Sequence, residues 1–358
     1  MRINHLDGLR GLAILLVFFY HSYARWSEIV PYGDKWQSVI FFTFGNTGVQ
    51  LFFLLSGFVI YMTLERSSGA LTFIKKRWLR LFPAMLICSL LSYFTASFFI
   101  ERPAGQPEFT DILPGLTLID PDWLGWWTGL AFSPLEGAYW SIYVEVKFYL
   151  FAAVCYFFIS KDKLPWFIFG AYLFAVSITQ MPIISDLQWL EPIRWRIPFY
   201  SLEHFGWFAS GCFFYRFMID NKKYNFAIAL AVGILASVTT SAGQTDKFFV
   251  LLFLVALFAT SLISPVIQKI LATRFLLFFG FISYPLYLIH ENMLVASVIK
   301  LGKFVDPDVA LLAPLVVLSG LSTVSYLIAK FAEPVIKNQL KTLTNVGNLR
   351  KKINKADL

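Results

Sequence analysis

The chain has 358 residues, of which 58% are apolar, 18% aromatic and only 15% charged. A soluble core of this size cannot bury so much apolar surface, so the composition excludes an ordinary soluble domain and predicts a membrane protein. The formal charge of +8 does not predict nucleic-acid binding, because a membrane protein distributes its basic residues between two sides. Cys88, Cys155 and Cys212 lie within apolar segments, and their spacing predicts neither a disulfide framework nor a metal site.

The apolar residues fall into blocks of roughly 17 to 24, long enough to cross about 30 Å of hydrocarbon as α-helices. We therefore predict an all-α, polytopic helix bundle of about ten transmembrane helices. The predicted helices lie near residues 9–24, 43–63, 79–100, 139–159, 165–181, 201–218, 225–241, 248–264, 276–299 and 309–332.

The basic residues predict the orientation of this bundle. Most of the 30 lysines and arginines fall on the side that also holds both termini, so the chain is predicted to be N-in and C-in. Residues 1–335 are predicted to form one membrane-embedded domain, and residues 336–358 a short basic cytoplasmic tail.

The segment between the third and fourth predicted helices is the longest loop, and its many carboxylates place it outside. It contains a cluster of tryptophans, Trp123, Trp126 and Trp127. We interpret this cluster as an interfacial anchor, with stacking on a sugar ring as the alternative.

The first predicted helix contains two ionisable residues, Arg10 and His21. Their spacing corresponds to about three helical turns, or about 16 Å of rise with about 20° of rotation, so they share one face. A charged residue within a span is costly unless it faces a polar interior, so the pair indicates a functional site. Taken singly, Arg10 could be an inner-face anchor and His21 an outer-interface residue.

Several further titratable residues are predicted at the depth of His21. Counted from the cytoplasmic ends of their helices, they lie roughly 18 to 22 Å from the inner face. They are Glu145, Glu203, His204 and His290. This predicts a buried site in the outer half of the bundle, with a histidine as base. For Glu203 and His204, which follow a polar loop, a headgroup location is the favoured interpretation.

A basic run from Lys75 to Arg80 is predicted to open the third helix, where the helix dipole favours an anion. Within it, Arg77 and Arg80 share a face at i, i+3. Alone, this run is ordinary positive-inside topology. As part of an enzyme, it predicts a cytoplasmic phosphate site.

Five motifs in order resemble the acyltransferase-3 family of integral membrane acyltransferases, over nearly the whole chain. They are the segment from His5 to Gly11 with the spacing of Arg10 and His21, the segment from Gly48 to Phe58 with Ser56, the pair Arg77 and Arg80, the triplet Trp140, Ser141 and Glu145, and the group Ser283, Tyr284, Tyr287 and His290. The chain departs from the family pattern at Val146 and Lys147, and at Asn292, where a proline commonly follows the histidine.

The resemblance implies a multi-pass protein of the bacterial cytoplasmic (inner) membrane. Its expected activity is transfer of an acyl group, typically acetyl from acetyl-CoA, to a hydroxyl of a glycan, glycolipid or small molecule. The expected partners are thus acyl-CoA, this hydroxyl acceptor and membrane lipid, with no permanently bound cofactor, no metal and no nucleic acid. The resemblance also implies that Arg10 and His21 are essential and that Arg77 and Arg80 engage the donor.

These elements combine into one mechanistic hypothesis. The acyl-CoA phosphates lie near Arg77 and Arg80, the acyl arm passes Arg10, and His21 acts as general base, with Glu145 orienting it or stabilising its imidazolium. The supporting residues are Asp7, Ser56, Trp140, Ser141, Tyr287 and His290. Direct transfer is favoured because no cysteine lies at this level, while a route through Ser141 or an acyl-histidine stays open.

Two rival functions are weighed against this hypothesis. A transporter or flippase of a lipid-linked glycan would also place charges at mid-depth, but Pro285 and Pro314 do not fall in corresponding positions of two halves. An unrelated membrane acyltransferase family uses a histidine and an asparagine, for which His290 and Asn292 are candidates. It would leave the spacing of Arg10 and His21 unexplained.

Overall fold

The computed structural model describes residues 3–181 and 187–343. These residues form helices joined by turns, and no strand occurs among them, which confirms the predicted all-α class. Most of the predicted basic tail, from residue 344 onward, lies outside the described residues.

Long helices overlap each of the predicted segments, and we number them α1 to α10 in chain order. They are α1 Asn4–Tyr23, α2 Gly48–Glu65, α3 Ala70–Phe94, α4 Trp140–Val154, α5 Leu164–Gln180, α6 Phe205–Asp220, α7 Lys223–Ser241, α8 Thr245–Ile263, α9 Arg274–Gly302 and α10 Ala313–Leu327. A π-helical turn continues α4 over Cys155–Ile159 and α10 over Ile328–Ala332.

Short helices occupy the connections. They are Ile40–Thr43, Gly45–Thr47, Phe109–Asp111, Ile112–Thr117, Pro121–Thr128, Gly137–Tyr139, Gln188–Leu190, Glu191–Arg194, Arg196–Tyr200, Leu202–His204, Pro265–Leu271 and Pro307–Ala310. The long loop between α3 and α4 is therefore partly helical rather than extended.

Within the described part of the chain, five segments are long and apolar enough to cross a membrane. They are Gly45–Glu65, Gly137–Ile159, Lys223–Ser241, Thr245–Ile263 and Pro307–Leu343. Pro265–Leu271 and α9, bent by 63° at their junction, add a sixth if counted as one span. The protein is thus a membrane protein with several apolar helices, while the number ten and the N-in, C-in orientation stay predictions. The helices α1 and α3 are not among these segments. Their charged residues make them less apolar than the five segments above.

The start of α3 corrects one prediction. The helix begins at Ala70, so the basic run from Lys75 to Arg80 does not open it. Arg77 and Arg80 lie two or more turns inside, beyond the reach of the free backbone N–H groups of the first turn. Any anion bound there must be held by the side chains.

The helices α1 and α9 make the most extensive contact between two of the described helices, and they pack backbone to backbone. A Cβ atom on Gly11 would lie 2.1 Å from the carbonyl oxygen of Leu276, and one on Gly280 would lie 2.0 Å from that of Asp7. Only glycine permits this approach. The glycines flanking Arg10 therefore serve packing, and they fix this arginine relative to α9.

Candidate active site

A cavity of about 110 Å³ lies between α1, α2, α3, α4 and α9. Its apolar side chains come mostly from α2, and its polar lining residues are Arg10, Ser56, Arg77, Arg80, Ser141, Glu145, Tyr149, Ser283, Tyr284 and Tyr287. Three guanidinium groups thus face one carboxylate. The excess of positive charge suits an anionic ligand.

The structure brings Arg10 to the same cavity as Arg77 and Arg80. One of its guanidinium nitrogens donates to Asp7 Oδ1 at 2.8 Å, one turn earlier on α1. Asp7 therefore orients Arg10, while 26% of the arginine side chain stays exposed.

The other two arginines are held from neighbouring helices. Arg77 donates from Nη2 to Thr63 Oγ1 of α2 at 2.9 Å. Arg80 lies 3.7 Å from a carboxylate oxygen of Glu333 and 5.7 Å from the ring centre of Tyr284. Sequence reasoning missed Glu333. Its place directly after the last apolar segment was a signal in the sequence that could have identified it as a partner for an arginine.

Glu145 contacts a serine rather than a histidine. Ser56 Oγ on α2 donates to Glu145 Oε1 at 2.5 Å. The predicted pairing of Glu145 with His21 is therefore corrected, since His21 does not line this cavity and has a different carboxylate beside it. The prediction compared only the depth of each residue along its own helix. Depth does not show which side of α4 faces α2.

Ser141 and Tyr287 close the cavity towards the loop side of α4. Their hydroxyl oxygens are 2.8 Å apart, and the Tyr287 ring also meets Phe52 edge-on at 5.9 Å. Trp140, the neighbour of Ser141, does not line the cavity and instead contacts the ring of His204 at 5.2 Å.

Beyond Tyr287, two histidines and a carboxylate form a separate polar group. His290 Nε2 lies 3.1 Å from His21 Nδ1, and His21 Nε2 lies 3.5 Å from Glu291 Oε1. The ring of His290 is also 5.4 Å from that of Tyr287, so it links the cavity to His21. Arg10 and His21 thus belong to two different polar regions on one helix.

The remaining residues of the predicted common level form a third group. His204 Nε2 is 3.7 Å from Glu203 Oε1, and its ring packs against Phe53 and Trp140. Glu203 and His204, for which a location outside the site was the favoured interpretation, do not contact His21 or His290 within the described residues. The expected common site of His21, Glu145 and His290 is incomplete, because Glu145 lines the cavity instead. Only His21 and His290 meet.

The long loop between α3 and α4 docks on α9 beside the histidines. Asn292 donates from Nδ2 to Glu136 Oε2 at 2.7 Å and to the carbonyl of Leu135 at 3.2 Å, and its Oδ1 accepts from the backbone of Ala104 at 3.1 Å. An asparagine in place of the family's proline thus anchors this loop.

Lys147, the other departure from the family pattern, anchors the same loop elsewhere. Its ammonium lies 2.9 Å from Asp120 Oδ2 and 3.2 Å from Ser201 Oγ, and 5.4 Å from the ring centre of Trp123. Its position beside Glu145 in sequence therefore does not bring it to the cavity.

The sequence profile of the acyltransferase-3 family, described as an acyltransferase domain, matches residues 3–330. The chain belongs to this family of acyltransferases. It is 24% identical to an O-acetyl transferase of Shigella phage Sf6, over 74% of this chain and 79% of that protein. It is 26% identical to the O-acetyltransferase OatA of Staphylococcus aureus, over 81% of this chain and 50% of that protein. The chain thus spans about half the length of the staphylococcal relative. No solved structure matches it.

Proposed function

We propose that the protein transfers an acetyl group from acetyl-CoA to a hydroxyl of a glycan or glycolipid at a bacterial cytoplasmic membrane. The family and the names of its relatives support O-acetylation. The observation that carries the proposal is the cavity with three arginines and one carboxylate, which extends to Ser141 and Tyr287.

The donor binds through its phosphates. Coenzyme A carries a diphosphate and a further phosphate, and guanidinium groups bind such groups through paired, charge-assisted hydrogen bonds. Arg77 and Arg80 hold these phosphates at the cytoplasmic side. Arg10, oriented by Asp7, guides the arm that carries the thioester towards Tyr287.

The chemical step uses His21 as general base. His21 removes the proton of the acceptor hydroxyl as that oxygen attacks the thioester carbon. The carbon–sulfur bond then breaks, and the departing thiolate takes the proton to give free coenzyme A. A well-placed general base contributes about 10²- to 10⁴-fold to such a rate.

Direct transfer fits the surroundings of the candidate nucleophiles. Cys88, Cys155 and Cys212 are buried and do not line the cavity. The hydroxyl of Ser141 is paired with Tyr287 and the carbonyl of Ala138, and neither can act as its base at neutral pH. These contacts favour direct attack by the acceptor over an acyl-serine.

The test uses membranes containing the protein, isotopically labelled acetyl-CoA and a panel of glycans, with mass spectrometry of the products. We expect a labelled ester from the wild type, none from His21→Ala, and little from Arg10→Ala. His204→Ala, a histidine outside the site, is the matched control and keeps most of the activity.

Two results would overturn the proposal. Labelled ester formed at the wild-type rate by His21→Ala or Arg10→Ala would remove both residues from the reaction. Uptake of unmodified glycan into vesicles that survives His21→Ala would instead identify a transporter.

A further inference from the structure

Glu291 is a buried carboxylate that the proposed reaction does not yet use. It follows His290 on α9, and its Oε1 lies 3.5 Å from Nε2 of His21. The side chains of His21 and Glu291 are 12% and 9% exposed, so a small group can still reach the space beside them.

The hydrogen bonds of the two histidines determine which ring nitrogen of each carries a proton. Nδ1 of His290 is 2.8 Å from the carbonyl oxygen of Tyr287, which can only accept, so this nitrogen is protonated. Nε2 of neutral His290 therefore accepts, and Nδ1 of His21, 3.1 Å away, must donate to it. Nδ1 of His21 also lies 2.9 Å from the carbonyl oxygen of Val17, which agrees with a proton there.

This assignment leaves Nε2 as the basic nitrogen of His21. The lone pair lies on the side of the ring where Glu291 is found. When Nε2 takes a proton, the new N–H group can donate to Glu291 while Nδ1 keeps its existing acceptors. The imidazolium would then have an acceptor for both of its N–H groups.

The backbone of the outer loop holds Glu291 in this position. A Cβ atom on Gly137 would lie 2.6 Å from Glu291 Oε2, so a larger residue there would displace the carboxylate from its present position. The short helix Gly137–Tyr139 thus packs against the carboxylate of Glu291, whose backbone is held by α9.

We propose that Glu291 is the positioning residue of the catalytic base: it stabilises the imidazolium formed when Nε2 takes the acceptor proton and fixes the orientation of that charged ring. This inference rests on the proposed function, in which His21 is the base. Glu291 does not itself attack or exchange the acetyl group. It acts only through the charged state of His21, and the proton still leaves on the thiol of coenzyme A.

The charged surroundings of this pair define the matched control. The other titratable or charged groups facing it are Tyr20, Arg25 and His290, together with Glu136 across the loop. Glu136 is as buried as Glu291, but its carboxylate accepts from Asn292 and does not contact His21. Glu136→Gln therefore changes a neighbouring buried carboxylate without changing the partner of the base.

The experiment measures kcat and KM for acetyl-CoA and for the acceptor in Glu291→Gln, Glu291→Asp and Glu136→Gln, with the full-length protein in membranes. We expect Glu291→Gln to lower kcat about tenfold to a hundredfold with both KM values nearly unchanged, because only a charge formed in the transition state is affected. Glu291→Asp should recover part of the loss, and Glu136→Gln should stay near the wild-type kcat. In Glu291→Ala, added formate should restore activity, whereas equal ionic strength from chloride should not.

The outcomes separate the inference from the function beneath it. If the wild type forms no ester, the proposed function fails. If the wild type forms ester and Glu291→Gln retains its kcat, only the role of Glu291 is overturned. An equal loss in Glu136→Gln, or a Glu291→Ala variant that binds acetyl-CoA normally but ignores formate, would also overturn it, since loss of packing would then explain the defect.

Discussion

The two ends of α1 carry different kinds of polar site. At Arg10, three arginines and one carboxylate line an open cavity, and Asp7 and Glu333 contact two of these arginines. At His21, Nδ1 contacts His290 and Nε2 faces Glu291, under a loop that docks on Asn292. A cavity lined by several arginines is suited to bind an anionic ligand, whereas a partly covered group of two histidines and a carboxylate is suited to chemistry on a preorganised base.

The largest effect is expected from His21→Asn. Because His21 does not line the cavity, this change should lower kcat about 10²- to 10⁴-fold and leave the Kd for acetyl-CoA unchanged. Steady-state kinetics and equilibrium donor binding check both values, with His204→Asn as control. If the affinity for acetyl-CoA fell by the same factor as kcat, the two regions would have to be one site.

Arg77→Gln should give the reverse pattern. Losing one guanidinium should weaken acetyl-CoA binding by about tenfold, or about 1.4 kcal/mol, while kcat at saturating donor changes little. Arg216→Gln is the control, because Arg216 contacts Tyr61 and Asp162 and does not line the cavity. Donor titrations at two salt concentrations measure the effect. An unchanged Kd would remove Arg77 from the donor site.

Ser141→Ala tests the boundary between the two regions. It removes the hydrogen bond to Tyr287, for which we expect a cost of about 1 kcal/mol and a rate about fivefold lower. Single-turnover kinetics and intact-protein mass spectrometry measure the rate and any acylated protein. A loss as large as that of His21→Asn, with an acyl group on the wild-type protein, would establish the serine route.

The smallest effect is expected where the outer loop meets the end of α9. Lys303 donates to Glu101 Oε1 at 2.7 Å, which holds the pKa of the Glu101 carboxyl below its ordinary value. This pair stabilises the fold above the ordinary carboxyl pKa of about 4.3 and loses that contribution as pH falls through the lower folded value.

For this pair, Glu101→Gln should lower the free energy of unfolding by no more than about 1 kcal/mol at neutral pH, because water screens an exposed pair. The difference from wild type should shrink as the solution is acidified. Thermal unfolding in detergent across this pH range measures it, with the exposed Glu28→Gln as control. A difference that grows on acidification would contradict the pairing.

Hydropathy and family motifs predicted much of this molecule. Long apolar blocks predicted where the long helices lie, and the motifs predicted that Arg10, Arg77 and Arg80 would serve one ligand, which agrees with their lining one cavity. The place of Glu145 in that cavity was not predicted, since Glu145 was assigned to His21. The start of α3 at Ala70 was missed, since a charged run ends an apolar block without ending a helix.

Contacts between distant residues were the hardest to predict. Glu291 stands within an apolar run next to His290, and a carboxylate in such a run is itself a signal of function. Its partner, however, comes from α1, and helical periodicity along α9 alone does not identify that neighbour. The anchoring of the outer loop through Asn292 depends on contacts across the chain in the same way.

The glycine contacts between α1 and α9 have a mechanical consequence. With the carbonyl of Leu276 placed where a Cβ of Gly11 would be, and that of Asp7 against Gly280, the two backbones leave no room to slide past each other. We therefore expect His21 and Glu291 to keep their spacing during turnover, with any opening of a path coming from the other helices. Under the proposed function, the acetyl group would then travel to a stationary base.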